Sequence, residues 1–428
     1  MLENKKVFRF VALVRDIGYV SFGKYGQYIV TAVTVPLMAR VLGIEGLGLL
    51  SIGMSSYFIG GVLVDLGITQ FLAAKMHTDD VSQLRGNYLA IRATVFGAIC
   101  AALLLGLALD AGDHTRMILL GLFAGGLSSI SEDWVLIGQG RFGASTAYQS
   151  VGRVVYLVLL VLLLPRHPSA TVAMLCLAVS SVFTVGLTWR DSLRRFGLPA
   201  RPRAVLRTVR LGAPVLTSRL LVSSYGQGSA TIYSSLLDGA SLGLFSAGDR
   251  IVRALQSMLD PIGFALLPRM AHISEDSRFW RRATLALFAC VGTALVVAVT
   301  LWVTAPLLIR VIFGDDFVNA VPLLQVEAMI LPATALTSYV TTAVLPVRGD
   351  TAGVLIGAVI GTCVAGGWLY VAMQSHSVWT LVYGTLSSEV AVALWYVVRM
   401  WRLSREERRA PLPEVVLHAS SADGERLP

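Results

Sequence analysis

Of the six basic residues inside long apolar stretches of this sequence, four are candidates for binding a ligand: Lys24, Arg219, Arg250 and Arg253. If these stretches cross a membrane, each cation costs about 2.5–3.5 kcal/mol at the bilayer centre, so such residues commonly face a cavity or a partner. The planar fork of arginine fits phosphate oxygens. The four residues are therefore a candidate site for an anionic group such as pyrophosphate. For Lys24 and Arg219, extension to the lipid head groups is an equal alternative.

Two acidic residues, Glu327 and Glu389, are also flanked by apolar sequence. A carboxylate in such a place is able to exchange a proton or bind a cation, so both are candidate ion-coupling residues. The histidines and cysteines show no metal-ligand spacing, and the sequence contains neither a nucleophile elbow nor a phosphate loop. The sequence therefore predicts no metal site, no cofactor and no enzymatic activity.

The elements that position these residues are predicted to be membrane spans. Hydrophobic residues make up 55% of the chain and charged residues 14%, against about 25% charged in soluble domains. A helix needs about 20 mainly apolar residues to cross the hydrocarbon. On this basis we place spans at 17–39, 47–71, 88–109, 117–138, 145–164, 170–189, 211–236, 244–268, 283–304, 321–345, 351–373 and 378–399. The predicted fold is an all-α polytopic membrane protein of about twelve transmembrane helices.

The distribution of Lys and Arg predicts the orientation of these spans. The two termini and the even-to-odd connections carry 24 of these residues, not counting Arg426 in the distal tail, whereas the odd-to-even connections carry four: Arg40, Arg116, Arg166 and Arg310. Both termini are therefore expected in the cytoplasm of a bacterium, with the chain in its cytoplasmic membrane. The net charge of +9 then reflects topology and not nucleic-acid binding. Arg92 and Arg153, near cytoplasmic span ends, are expected to reach the head groups.

The predicted domains follow from the spans. A cytoplasmic N-terminus (1–16) precedes a first lobe (17–189), an Arg-rich cytoplasmic linker (190–210) and a second lobe (211–399). The polar tail at 400–428 is expected to be disordered.

The two lobes contain an internal repeat. The sequence at 47–51 (LGLLS) recurs at 242–246 (LGLFS), an offset of 195 residues, and at the same offset Lys24 falls on Arg219. Because each lobe has an even number of spans, the repeat is parallel. Transporters with such repeats bind their substrate between the two halves.

Several short motifs occur in one order along the chain. They are Pro36–Gly43 followed by Gly46–Gly48, Asp65–Ile68, Asp133-Trp134 with Gly138–Gly140, Ala247–Ile251, and Ile312–Gly314. Together they resemble polysaccharide flippases of the multidrug/oligosaccharidyl-lipid/polysaccharide exporter superfamily, from about residue 17 to 400. One departure is that an acidic residue often found in the seventh span is replaced within Gly226–Ala230.

The resemblance implies two six-helix lobes around a cavity that opens alternately to each side. The implied substrate is an oligosaccharide on undecaprenyl pyrophosphate, moved from the cytoplasmic to the external leaflet. The expected partners are this lipid-linked oligosaccharide and membrane lipids, with a polysaccharide polymerase and glycosyltransferases as further candidates.

Three alternatives remain open at this stage. A drug/cation antiporter of the same fold would need acidic residues in the cavity. A lipid II flippase usually carries two further helices, for which the chain has no room. A membrane-embedded glycosyltransferase or ligase would need a larger external loop and a concentrated acidic or histidine site.

Overall fold

The computed structural model describes residues 2–67, 69, 72, 80–272, 279–348 and 350–409, and these residues form helices and no strand. The first half of the chain contains α1 (Leu2–Asp65), α2 (Val81–Ala108), α3 (Asp113–Ser129), α4 (Asp133–Gly138), α5 (Phe142–Leu163) and α6 (Ala170–Phe196). The second half contains α7 (Val205–Tyr225), α8 (Ser229–Tyr233), α9 (Gly239–His272), α10 (Phe279–Ile312), a 3₁₀ turn (Asp315–Ala320), α11 (Val321–Glu327), α12 (Ile330–Tyr339), a π-helical turn (Val340–Val344), α13 (Thr351–Ser375) and α14 (Val378–Arg409). We call α1–α6 the N-lobe and α7–α14 the C-lobe.

Each predicted span coincides with one helix or with consecutive helices. By length and composition, eight described segments are able to cross a membrane: Val33–Asp65, Val81–Ala108, Phe142–Leu163, Ala170–Phe196, Phe279–Ile312, Asp315–Val344, Ala352–Ser375 and Val378–Glu407. The predicted fourth span is divided into α3 and α4, and the seventh into α7 and α8. The all-α polytopic prediction is confirmed.

The first two predicted spans form one helix that is bent at Gly43. Its backbone angles (φ 67°, ψ −171°) lie in a region that side chains other than glycine rarely adopt. We call the end of the bundle that carries this bend the kink end. The opposite end carries the connection between α6 and α7, and we call it the linker end.

The lobes are packed separately and then against each other. In the N-lobe, α1 contacts α3, α5 and α6; in the C-lobe, α9 contacts α11 and α12, while α14 contacts α13. The main contact between the lobes is that of α1 with α9. These two helices therefore form the centre of the bundle.

The connection between the lobes is shorter than the predicted linker and is held in place. Residues 197–204 are non-helical, because Gly197 (φ 68°) ends α6 and two prolines follow it. The Asn87 side-chain oxygen accepts hydrogen bonds from the backbone N–H groups of Arg203 (2.8 Å) and Ala204 (3.1 Å). The connection is thus fastened to the start of α2. The cytoplasmic location of this segment stays a prediction. The tail was predicted to be disordered from residue 400, but α14 continues as a helix to Arg409, and the residues beyond it lie outside the described part of the chain.

A buried ion pair supports the linker end of the N-lobe. The Arg85 Nε donates to Glu132 Oε2 over 2.7 Å, and their side chains are 0% and 2% exposed. The Ser192 hydroxyl donates to the same carboxylate oxygen (2.9 Å), and a second Arg85 nitrogen donates to the Gly197 carbonyl (2.9 Å). Glu132 reaches this position because the chain leaves the helical path between α3 and α4.

Arg92 does not extend to the head groups, so that prediction is wrong. Its side chain is buried, donates to Asp65 Oδ1 over 3.1 Å, and lies over the ring of Tyr88 at 3.7 Å from the centroid. The acid on the neighbouring helix gives the guanidinium a closer partner than the lipid surface.

We predict that Glu132→Ala will unfold the N-lobe more easily, by about 3–5 kcal/mol, because it leaves the buried Arg85 without its counter-charge. Replacing both residues together (Arg85→Met with Glu132→Leu) should restore most of the loss. The measurement is thermal unfolding of detergent-solubilised protein. Asp315→Ala, which breaks an exposed ion pair with Arg310, is the matched control and should cost about 1 kcal/mol or less. A loss for Glu132→Ala no greater than that of the control would contradict the assignment.

Candidate functional site

Two cavities lie on either side of α9. The N-lobe cavity has a volume of about 490 Å³ and is enclosed by α1 and α3–α6, with one side chain, Arg250, entering from α9. The C-lobe cavity has a volume of about 540 Å³ and is enclosed by α7, α9, α11–α14 and the π-helical turn. Helix α9 therefore contributes side chains to both cavities.

The N-lobe cavity brings together cations from the two lobes. Arg153 on α5 and Arg250 on α9 both line it. An Arg153 guanidinium nitrogen donates to Gln149 Oε1 (3.3 Å), and the Gln149 amide donates to Asp133 Oδ2 (2.8 Å). The Arg250 Nε donates to the Ser246 hydroxyl (3.2 Å).

Eight side chains with hydroxyl groups also line the N-lobe cavity, between apolar residues of α1 and α6. They belong to Thr34, Tyr57, Ser128, Ser131, Tyr156, Ser180, Ser181 and Thr184. A pair of guanidinium groups surrounded by hydroxyl, amide and carboxylate groups fits a ligand that is anionic at one point and rich in hydroxyls elsewhere.

The C-lobe cavity is acidic. Asp249, Glu327 and Glu389 line it together with Arg253, whose Nε donates to Asp249 Oδ2 over 2.6 Å. Glu327 is 1% exposed, and among the described residues neither of its carboxylate oxygens has a hydrogen-bond partner. Gly248 permits this position, since a Cβ there would overlap Glu327 Oε2.

A metal centre is not evident in this cavity. In the part of the chain that the structure describes, no three His, Cys, Asp or Glu side chains are grouped so as to hold a metal ion. Besides Arg253 and the amides of Gln227 and Gln256, the polar side chains that accompany the acids carry hydroxyls: Ser223, Tyr225, Thr334, Thr337, Ser338, Thr341, Thr385 and Tyr396. The cavity thus offers a buried carboxylate without a fixed counter-charge of its own.

The structure separates two residues that the sequence placed together. Arg250 and Arg253, expected in one candidate anion site, line different cavities. Residues three apart differ by about 60° around a helix axis. Because α9 stands between the cavities, this rotation is enough to direct one arginine to each side.

The other predicted site residues take three different positions. Glu327 and Glu389 lie in one cavity, as a pair. Arg219 is exposed on α7 and lines neither cavity; its Cδ would lie 2.7 Å from a Cβ at Gly67, at the linker end of α1. The side chain of Lys24 lies outside the described part of the chain.

Arg153 is the main residue that sequence reasoning missed. It was expected at the head groups, yet it lines the N-lobe cavity. The available signal was its spacing, since Gln149, Arg153 and Tyr156 follow one face of α5 at intervals of four and three residues. Asp249 was also missed, although it lies four residues before Arg253, the spacing of a helical ion pair.

A protein-family comparison identifies the chain's family. The sequence profile of the polysaccharide biosynthesis protein family matches residues 13–274, which is more than half of the chain. No curated protein sequence matches it.

Solved structures share the fold. The lipid II flippase MurJ in an inward closed conformation has a TM-score of 0.71 at 12% identity, covering 92% of this chain and 91% of that chain. An inward-facing MATE family multidrug resistance transporter of the MOP superfamily has a TM-score of 0.60 at 14% identity, covering 88% and 99%. Its outward-facing counterpart reaches 0.58 at 14% identity, covering 92% and 96%. The chain belongs to the polysaccharide biosynthesis protein family and has the two-lobed helical fold of the MOP superfamily.

Proposed function

We propose that this protein is a flippase that moves an oligosaccharide linked to undecaprenyl pyrophosphate from the cytoplasmic to the external leaflet. It would act by alternating access in the cytoplasmic membrane of a bacterium, with both termini in the cytoplasm. The observation that carries the proposal is the pairing of Arg153 and Arg250 in one hydroxyl-lined cavity. Glycosyltransferases that supply the substrate and a polymerase that consumes it are the corresponding partners.

The chemistry of the N-lobe cavity suits this substrate. Guanidinium groups bind phosphate oxygens in a planar, two-pronged geometry, and they bind more strongly where water is excluded. The neighbouring hydroxyl, amide and carboxylate groups offer both donors and acceptors for sugar hydroxyls. A cationic drug would instead meet two like charges in this cavity.

The origin of the two arginines supports a transport cycle. Arg153 belongs to the N-lobe, whereas Arg250 belongs to the C-lobe. Rocking of one lobe against the other changes the distance between them, so one conformation binds the pyrophosphate with both groups and another with only one. A difference in affinity between the two conformations is what lets a ligand drive such a change.

The C-lobe cavity is the proposed ion-coupling site. A buried carboxylate without a hydrogen-bond donor is unstable when charged, which favours binding of a proton or a cation. Glu327 meets this description, and Glu389 lines the same cavity. Occupation of this cavity by an ion would then change the packing of α9, which also bears Arg250.

The same cavity favours one competing function, a drug/cation antiporter. Its three carboxylates would accept an organic cation, with Arg253 as the only cation among its lining residues. The two functions differ in which cavity binds the transported molecule, so substitutions in each cavity separate them.

We predict that Arg250→Gln and Arg153→Gln will each reduce export of surface glycan at least tenfold, since a hydrogen bond to a charged group contributes about 1.5–3 kcal/mol. Arg250→Lys should retain part of the activity, because the charge remains while the fork is lost. Arg219→Gln tests the predicted residue at the linker end, and we expect a smaller loss because it lines neither cavity. Surface glycan is measured at equal protein abundance in the membrane.

Arg166→Gln is the matched control, because this arginine is exposed in the connection between α5 and α6. Wild-type glycan levels in both the Arg250→Gln and Arg153→Gln proteins would refute the pyrophosphate site. Loss of drug resistance in these variants, with glycan export intact, would favour the antiporter.

We predict that Glu327→Gln will lower transport and make it insensitive to the proton gradient, because the amide mimics a permanently protonated carboxylate. Transport of the lipid-linked oligosaccharide is measured in vesicles with and without a protonophore. Glu406→Gln, an exposed acid on α14, is the control and should respond as the wild type does. If the variant transports at the wild-type rate and loses activity with the protonophore as the wild type does, Glu327 does not couple a proton.

We predict that Gly248→Ala will produce a weaker form of the same defect. The added methyl group would overlap Glu327 Oε2 and displace the carboxylate, although the acid itself remains. The measurement is the pH dependence of vesicle transport, which should shift relative to the wild type. An unchanged pH profile would show that the position of Glu327 against α9 has no role.

A further inference from the structure

At the kink end, α1 and α9 cross at backbone-to-backbone distance. A Cβ at Gly48 on α1 would overlap the carbonyl oxygen of Gly239 and lie 2.7 Å from its carbonyl carbon. A Cβ at Gly243 on α9 would overlap the carbonyl oxygen of Ile44 and lie 2.9 Å from its carbonyl carbon. Only glycine permits this approach, because the atoms in the way belong to the backbone of the other helix.

The internal repeat supplies both sides of this crossing. Gly48 and Gly243 are separated by the repeat offset of 195 residues, and so are Ile44 and Gly239. Gly48 contacts Gly239, while Gly243 contacts Ile44, so each contact is the image of the other. The crossing is therefore self-complementary in the manner of a two-fold symmetric dimer interface.

Further contacts between the lobes lie on the same segment of α1. The hydroxyls of Ser56 and Thr231 share a hydrogen bond (2.8 Å), and the Ser55 hydroxyl donates to the Gln227 carbonyl (2.6 Å). Water is able to replace such hydrogen bonds when the helices separate. At the two glycine contacts the backbones of α1 and α9 meet directly, with only the Ile44 side chain beside them, so few side chains must disengage when the crossing opens.

We infer that the crossing of Ile44–Gly48 with Gly239–Gly243 is the external gate of the transport path. While it is formed, both cavities are closed toward the kink end; for release to that side, α1 and α9 must separate there. This inference rests on the proposed alternating access and on the predicted orientation, which puts the kink end outside. The recurrence of LGLLS as LGLFS is then a requirement of the gate and not of the substrate.

A disulfide tests whether the crossing must separate. A Cβ at Gly239 would lie 4.0 Å from the Cβ of Glu45, within the 3.5–4.5 Å range of disulfides. Glu45→Cys with Gly239→Cys, in a chain whose four native cysteines are replaced by alanine, should cross-link on oxidation. Vesicle transport should fall at least about tenfold, and a reducing agent should restore it. Failure to cross-link, or normal transport by the cross-linked protein, would overturn the inference.

The rate of cysteine labelling from outside measures opening of the gate in the absence of substrate. Intact cells that carry Ser181→Cys, a position in the N-lobe cavity, are treated from outside with a membrane-impermeant maleimide. Gly48→Ala and Gly243→Ala should each speed this labelling about fivefold or more, and to a similar degree, because each weakens the closed state through overpacking. Unchanged labelling in both variants would overturn the inference.

Gly97→Ala and Gly292→Ala are the matched controls. These two glycines are also 195 residues apart, and a Cβ at either would meet no atom within 4 Å. They should label at the wild-type rate. If the gate variants behave as expected while Arg153→Gln and Arg250→Gln leave glycan export intact, the proposed substrate is refuted and the gate is still supported.

Discussion

Burial of charge inside an apolar helical bundle is the constraint on which the rest of this structure depends. An isolated ion in such surroundings is far less stable than in water, and it persists only beside an opposite charge or in a hydrated cavity. The interior charges divide in this way. Arg85 and Arg92 have carboxylate partners on neighbouring helices, whereas Arg153 and Arg250 lie on the wall of a cavity.

On the proposed function, this division separates structural charges from functional ones. The pair of Arg85 and Glu132 is closed off by a serine hydroxyl and a backbone carbonyl, so it fixes helix positions. Glu327 is the opposite case, since it is equally buried but has no donor among the described residues. An environment that stabilises one protonation state and not the other is what an ion-coupled cycle requires. The free-energy cost of burying charge thus holds the helices at the linker end in place and, on the proposed function, makes the C-lobe cavity respond to a bound proton or cation.

Much of the architecture was predictable from hydropathy alone, because each span must bury its backbone hydrogen bonds and present apolar side chains to lipid. The position of each charge along its helix was predictable for the same reason. The direction of a charge around its helix was not: about 60° of rotation separates Arg250 from Arg253, and only the packing of α9 between two cavities assigns them. Glu132 illustrates a second limit, since its partner is 47 residues away and the helix break that brings it there has no strong sequence signal. Arg153 lies near a span end, which predicts contact with the head groups, but it belongs to the polar face of α5 and lines the N-lobe cavity.

The fastening of residues 197–204 to α2 has a mechanical consequence. The first turns of α7 are also packed on the N-lobe, where Val205 and Val209 contact the cluster around Tyr88 and Trp134. The covalent junction of the lobes is therefore not their pivot, and the beginning of α7 travels as part of the N-lobe. Leu216, beyond Pro214, packs on the same cluster, so on the proposed alternating access bending is expected further along α7, toward the point where the helix stops at Tyr225. If the lobes rock as proposed, α7 acts as a lever, because a displacement of its linker end with the N-lobe is delivered to Val222, Ser223 and Tyr225 on the wall of the C-lobe cavity.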